Sequence, residues 1–275
     1  QKVHEHKVEQ AQLDLQQVQA DEIKVKKPNG YFWMALAMMV STRLWLGGVV
    51  SPHRDLDLIQ ALTDKIKGMA LCRPLLLAVD GLASYVSAFR NSFRTALPRW
   101  GGEKGRPKLV SWPNIAIVQV VKQRLDGQLN ITRRIVQGSE EMVHSLIRKT
   151  QGQGMINTAF IERLNATFRQ RLNSLARKTR TLVRKAPTLE AGMYAIGCLY
   201  NFCDPHHSLR LKLSVGRFGY RWVQRTPAIA AGLADHIWTP TELFDFKIPP
   251  PRWQPPKQRG RRSQSTQKLV AKWCS

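Results

Sequence analysis

The sequence predicts an α/β domain in which a mixed sheet is flanked by helices. Apolar, β-branched stretches alternate with stretches whose apolar residues recur at helical spacing. One continuous apolar run, Leu75 to Val79, lies between Pro74 and Asp80-Gly81, as in a strand buried on both faces. With 275 residues, 43% hydrophobic and 8% aromatic, the chain can bury one full core and carry extensions.

The elements follow in order. Residues 1–16 are polar and read as a lead-in, and because Gln1 is not an initiator Met, an N-terminal module is expected to be missing. Gln17 to Val25 has strand character, and Pro28-Asn29-Gly30 signals a turn. Tyr31 to Val40 and Arg43 to Ser51 continue an antiparallel meander. Their apolar character also suggests a membrane span, but Arg43 would then lie in the middle of it, so two buried strands are expected instead. Asp55 to Met69 places Leu58, Ile59, Leu62, Ile66 and Met69 at helical spacing. The buried run ending at Asp80 and a helix over Tyr85 to Phe93 complete a first segment, 17–97.

Residues 98–156 read as an insertion. A Gly/Lys/Arg-rich loop, Gly101 to Lys108, precedes two strand-like runs, Asn114 to Lys122 and Leu129 to Gln137, around a hairpin signal at Asp126-Gly127. Ser139 is placed to cap a helix running to Thr150. Segment 157–215 opens with a single long helix predicted over Asn157 to Lys185, with Phe160, Leu164, Phe168, Leu172 and Leu175 as its apolar stripe. Pro187 is expected to stop it and Thr188 to cap the next helix, to Tyr200. A C-terminal extension, 216–247, precedes a Pro-rich basic tail, 248–275. There Ile248 to Arg262 reads as extended chain, and Trp253 as a residue able to stack on a base.

Charge names the partner class. Forty-three Lys and Arg against 19 Asp and Glu give a net charge of +24, which favours a polyanion, and nucleic acid is the commonest. Cys72, Cys198, Cys203 and Cys274 form no metal-binding pattern, and no secretory signal opens the chain, so a reducing, cytoplasmic setting is expected.

Three acids sit where phosphodiester chemistry would need them. Asp21 lies in the first strand, Asp80 ends the buried strand, and Glu162 opens the basic helix. A carboxylate at the end of a buried strand faces a crevice, and hard divalent cations are held by such oxygen donors. Each also has a plainer reading. Spacing does not choose between Asp21 and Glu22, Asp80 suits a strand-ending turn, and Glu162 complements a helix dipole. From Arg163 to Lys185 the chain carries eight basic residues (163, 169, 171, 177, 178, 180, 184, 185) and no acid. Asn165 and Arg169 share a helix face with Glu162. Arg171, Arg177, Lys178, Arg180 and His206 are further candidate DNA contacts.

The runs Gln19-Ala20-Asp21-Glu22, Leu77-Ala78-Val79-Asp80-Gly81 and Asn157 to Arg169 (N-T-A-F-I-E-R-L-N-A-T-F-R) together resemble bacterial insertion-sequence transposases of the DDE class. Tyr200-Asn201-Phe202-Cys203 with Pro205-His206-His207-Ser208-Leu209 resembles the element that follows the catalytic Glu in that family. Thr226-Pro227-Ala228 is also family-like, and the resemblance spans residues 17–255. It implies a ribonuclease H-like, integrase-type domain, with Asp21, Asp80 and Glu162 holding a pair of Mg²⁺ ions or Mn²⁺ in their place. It further implies hydrolysis at element ends, 3′-hydroxyl strand transfer into target DNA, nucleoid association and a homo-oligomer on paired ends. The interval between Asp80 and Glu162 exceeds that of compact members, which the expected insertion would explain. A DNA-binding protein derived from a transposase, and a nuclease without strand transfer, are the alternative readings.

Overall fold

A computed structural model of the chain describes residues 1–98, 105–125, 128–152, 154–216, 219–250, 260 and 263–273. The expected turn at Asp126-Gly127, residues 101–104 of the Gly101 to Lys108 loop, residues 251–259, 261 and 262 of the Pro-rich tail (Trp253 among them) and Cys274 lie outside the described residues.

The centre is a six-stranded mixed sheet of order β3-β2-β1-β4-β7-β8. β1 (Gln17–Lys27), β2 (Gly30–Met39) and β3 (Trp45–Ser51) form the predicted antiparallel meander, and β4 (Leu75–Asp80) lies parallel to β1. β5 (Arg94–Ala96) and β6 (Leu109–Ser111) make a small separate ribbon. β7 (Ile115–Leu125) and β8 (Gln128–Gln137) are the predicted hairpin pair, but they are not a module apart. β7 runs parallel to β4 over Leu75↔Ile115 to Asp80↔Val120, and β8 closes that edge. The reason lies in Ala116, Val118 and Val120, which face the same apolar cluster as Leu76 and Ala78.

Period-two alternation assigns the helices to the two faces. Val18, Ala20, Leu75, Leu77 and Val79 face α2 (Leu56–Met69) and α3 (Ala83–Ser92). Ile23, Met34, Leu36 and Met38 face α5 (Ala159–Arg171) and α6 (Ala186–Cys198), and Leu76 and Ala78 face α4 (Glu140–Gln151). Asp55 and Ser139 cap α2 and α4 through Leu58 and Met142 N–H groups. α6 approaches β3 closely at Gly197, where an added Cβ would lie 2.1 Å from the Trp45 ring, so only hydrogen fits.

Three expectations need correction. Residues 1–16 are not a solvated lead-in. α1 (Lys2–His4) and the wider turn Glu5–Glu9 bury His4 and Val8, four residues apart on one face, and Leu13 and Leu15 join the core. Burial presses the His4 imidazole down to about 3, so it is neutral, and its Nε2 lies 3.2 Å from the Leu46 carbonyl. The helix predicted over Asn157 to Lys185 ends at Arg171. Leu172 turns extended, a single turn over Asn173–Leu175 buries Leu175, and Val183 donates to the Lys26 carbonyl at 3.3 Å. The chain thus returns along β1 instead of continuing outward. α6 begins at Ala186 with Pro187 in its first turn, a position proline suits, so neither the Pro187 stop nor a Thr188 cap holds.

Toward the C-terminus, β9 (Leu211–Val215) and β10 (Gly219–Val223) form an exposed hairpin that the sequence reading did not anticipate. α7 (Pro227–Ala230) and α8 (Pro240–Asp245) pack Ala228 and Leu243 onto the α2/α3 side of the core, and α9 (Gln264–Trp273) is exposed. Among the described residues no helix is long and apolar enough to cross a membrane.

Candidate active site

The parallel pairing of β1 with β4 ends at Gln19↔Ala78. Continued along both strands, that register sets Asp21 level with Asp80, on the sheet face that α5 covers. Beyond this point the strands part, leaving a crevice of about 510 Å³ at the C-terminal end of β4 and beside the middle of β1. Asp21, Arg54, Asp80, Lys122, Thr158 and Glu162 line it. All three sequence-predicted acids therefore face one space.

The polar residues of β1 fasten the helices that bound this space. Gln17 accepts from Gln151 at 2.9 Å and from the Thr150 hydroxyl, at the end of α4. Gln19 is fully buried. Its Oε1 accepts from the Phe160 and Ile161 N–H groups at 3.1 and 3.0 Å, and its Nε2 donates to the Asn157 carbonyl at 2.7 Å. It thus caps α5 from the sheet. Thr158, at the N-cap, makes no side-chain cap and instead donates its hydroxyl to Glu162 at 2.7 Å. Asn165, one turn on, donates to Asp21 at 2.8 Å.

Carboxylate oxygens of Asp21, Glu22 and Asp80 lie within 4.8 Å of one another, and Glu162 stands outside that group. Glu22 is on the opposite face of β1, where it accepts from the buried Tyr85 hydroxyl at 2.8 Å and from Arg54 Nε at 2.5 Å. Arg54 also reaches Asp80 at 3.4 Å, tying both acids to one guanidinium. Asp80 serves two purposes, since its Oδ1 accepts from the Leu82 N–H at 2.9 Å while Oδ2 meets Arg54. The turn reading of Asp80 and the site reading thus describe one residue. Glu162 is ion-paired to Lys122 of β7.

The electrostatics follow from this layout. Burial pushes the Asp21 carboxyl up to about 7, and the nearby charges of Glu22, Asp80 and Glu162 add to the shift. Burial and Asp80 likewise raise Glu22, against the opposing pull of Tyr85 and Arg54. Glu162 is held below the ordinary range, because the Lys122 and Thr158 hydrogen bonds outweigh its partial burial. Hard oxygen donors crowded around Asp21 suit a divalent cation.

The other predicted contacts are spread out. Burial and Arg177 lower Arg169, while Asp21 opposes them, and Arg169 and Arg177 border a groove with Lys24 and Lys26. Arg171 pairs with Asp204, and Lys178 and Arg180 lie in the exposed stretch after α5. His206 lies in a different pocket, packed edge-on against Tyr200 at 5.2 Å. Sequence reasoning gave no role to Gln19, Arg54, Lys122 or Thr158 and set Glu22 aside. Gln19 and Thr158 lie within the motif runs and Glu22 stands beside Asp21, whereas Arg54 and Lys122 carried no signal.

No protein-family model matches the sequence, and no curated protein does. Among solved structures, the simian T-cell lymphotropic virus intasome in complex with PP2A regulatory subunit B56 gamma shares 11% identity at a TM-score of 0.37. That match covers 92% of this chain and 62% of the other. A piggyBac transposase synaptic complex with hairpin DNA shares 10% identity at a TM-score of 0.34, covering 67% of this chain and 45% of the other. Likeness at this level carries no argument about activity.

Proposed function

We propose that this chain is a DNA transposase of the DDE class, built on a ribonuclease H-like sheet, which cleaves phosphodiesters and joins 3′-hydroxyl ends to target DNA. The observation that carries the reading is the convergence of Asp21, Asp80 and Glu162, from β1, β4 and α5, on one crevice. The β3-β2-β1-β4-β7 strand order, the net charge of +24 and the N-T-A-F-I-E-R-L-N motif support it.

In this reading Asp21 and Asp80 would hold divalent cations and Glu162 would complete the set, while Glu22 lies close enough to share a ligand position. Bound Mg²⁺ would supply Lewis-acid stabilisation of the phosphoryl group and lower the pKa of an attacking water or 3′-hydroxyl. The chain's own residues orient these acids: Asn165 fixes Asp21, Thr158 fixes Glu162, and Tyr85 with Arg54 fixes Glu22. Arg54 pairs with Glu22 and Asp80, and Lys122 with Glu162, so these cations balance the charge of the carboxylates that would hold the metal. Arg169, Arg171, Arg177, Lys178 and Arg180 supply positive charge along the path of the DNA backbone.

The test uses purified protein, Mg²⁺ and oligonucleotides carrying the terminal repeats that flank the gene. Cleavage with joined product is expected for wild type and not for Asp80→Asn. Cleavage without joining identifies a nuclease. Equal behaviour of wild type and Asp80→Asn refutes an enzymatic role.

A further inference from the structure

A second, smaller pocket of about 180 Å³ flanks α5 and is lined by Arg43, Phe160, Arg163, Tyr200, His206 and Ser208, among others. Phe160 and Arg163 point away from the side of α5 that carries Glu162, Asn165 and Arg169, as helical spacing requires. The buried stripe Ile161, Leu164 and Phe168 lies between the two faces on the inner side, so α5 separates two openings that both meet solvent.

The pocket gathers positive charge that no carboxylate neutralises. The half-buried Arg43 guanidinium is stacked 3.9 Å above the Phe160 ring and donates to the Val40 carbonyl. Its backbone adopts φ 60, a left-handed conformation rare for a side chain of this size. Burial and the Arg163 charge both disfavour the charged form of Arg43, while Tyr200 opposes them. Burial, Arg43 and Arg163 lower His206 against the opposing influence of Asp204, which favours its neutral form. Asp204 is itself paired with Arg171. Among the described residues none of Arg43, Arg163 and His206 forms an ion pair. Two guanidiniums, an imidazole and the Ser208 hydroxyl around one concavity form a donor set for a tetrahedral oxyanion.

We propose that this pocket binds a backbone phosphate of the DNA strand whose scissile bond occupies the carboxylate crevice. The inference rests on the DNA-cleaving reading of that crevice. A strand crossing the exposed ridge of α5 would reach both openings, which are separated by about one helix width, ~10 Å. The pocket thereby sets the register of the strand, and α5 acts as the bar between holding and cutting.

The experiment measures binding of a short labelled duplex by fluorescence anisotropy in EDTA, over a range of salt concentrations. Arg43→Asn removes the guanidinium while keeping a residue that tolerates the left-handed conformation, and Arg163→Gln alters an exposed position of α5. Lys149→Gln, exposed on α4, is the charge-matched control. Each pocket variant should weaken binding roughly tenfold. The slope of log affinity against log salt should fall by about 0.9, one phosphate contact, while the control stays at the wild-type slope. If Arg163→Gln and Arg43→Asn both track Lys149→Gln, the pocket does not bind DNA. Inorganic phosphate held by the DNA-free protein and not displaced by duplex would also overturn the assignment, in favour of a free anion. Because binding is read without metal, a weakened Arg163→Gln supports the pocket even where wild type fails to cut. In that outcome only the cleavage reading falls.

Discussion

Replacing Gln19 by Leu should cost the protein about 2–4 kcal/mol of stability. Leu is close to the same size, so little space opens. Three hydrogen bonds of normal length disappear, however, to the Phe160 and Ile161 N–H groups and to the Asn157 carbonyl. A neutral hydrogen bond contributes about 1 kcal/mol, and a buried group left without a partner costs about 1–3 kcal/mol. Losing a helix N-cap alone costs about 1 kcal/mol. Ile161 is buried with its N–H, and Thr158 cannot substitute as a cap without releasing Glu162. Urea denaturation followed by circular dichroism gives the value. A loss below about 0.5 kcal/mol would show that α5 is not capped from the sheet, and that the position of Glu162 does not depend on Gln19.

The other expectations concern charge and packing. Because the folded Asp21 carboxyl titrates near 7 instead of 3.8, the folded state holds the extra proton between those values. Metal-free stability should therefore decline as pH rises through this window, Glu22 acting in the same direction. Thermal melts in EDTA read the decline, and Asp21→Asn should flatten it; an unchanged slope refutes the assignment. Arg54→Gln leaves Glu22, whose side chain is 1% exposed, without its guanidinium. After discounting for the exposure of Arg54, it should destabilise the metal-free protein by about 1–2 kcal/mol and tighten Mg²⁺ binding in calorimetry. Gly197→Ala drives a methyl group into the Trp45 ring and should cost at least about 1–3 kcal/mol in a thermal melt. Saturating Mg²⁺ at 100 times its dissociation constant should add about 2.7 kcal/mol to wild type, and less to Asp80→Asn.

Local pattern revealed what depends on local pattern. The alternation from Gln17 to Ser51, the apolar run ending at Asp80 and the Ser139 cap each follow from residues close in sequence, and each stands in the structure. The helix beyond Arg171 failed for a tertiary reason. Leu172 and Leu175 continue the helical spacing, yet Leu175 and Val183 are buried by folding back along β1. Five of the eight cations (177, 178, 180, 184 and 185) thereby leave the helix, which relieves repulsion along it. Glu22 stood in view beside Asp21, but neighbours on a strand point to opposite faces, so alternation gave no reason to expect its carboxylate within 4.8 Å of Asp21 and Asp80. Gln19, Arg54 and Lys122 act on partners far away in sequence, so local spacing does not reveal their roles, even where Gln19 stands beside Asp21 in a motif run.

The central claim is that Asp21, Asp80 and Glu162 serve one metal-dependent phosphodiester reaction. Single-turnover cleavage of a labelled end-bearing duplex in Mg²⁺, compared for wild type, Asp80→Asn and Glu162→Gln, tests it most directly. Both substitutions should slow cleavage by at least about 100-fold while duplex binding in EDTA is kept. Cleavage by either variant at the wild-type rate would contradict the claim.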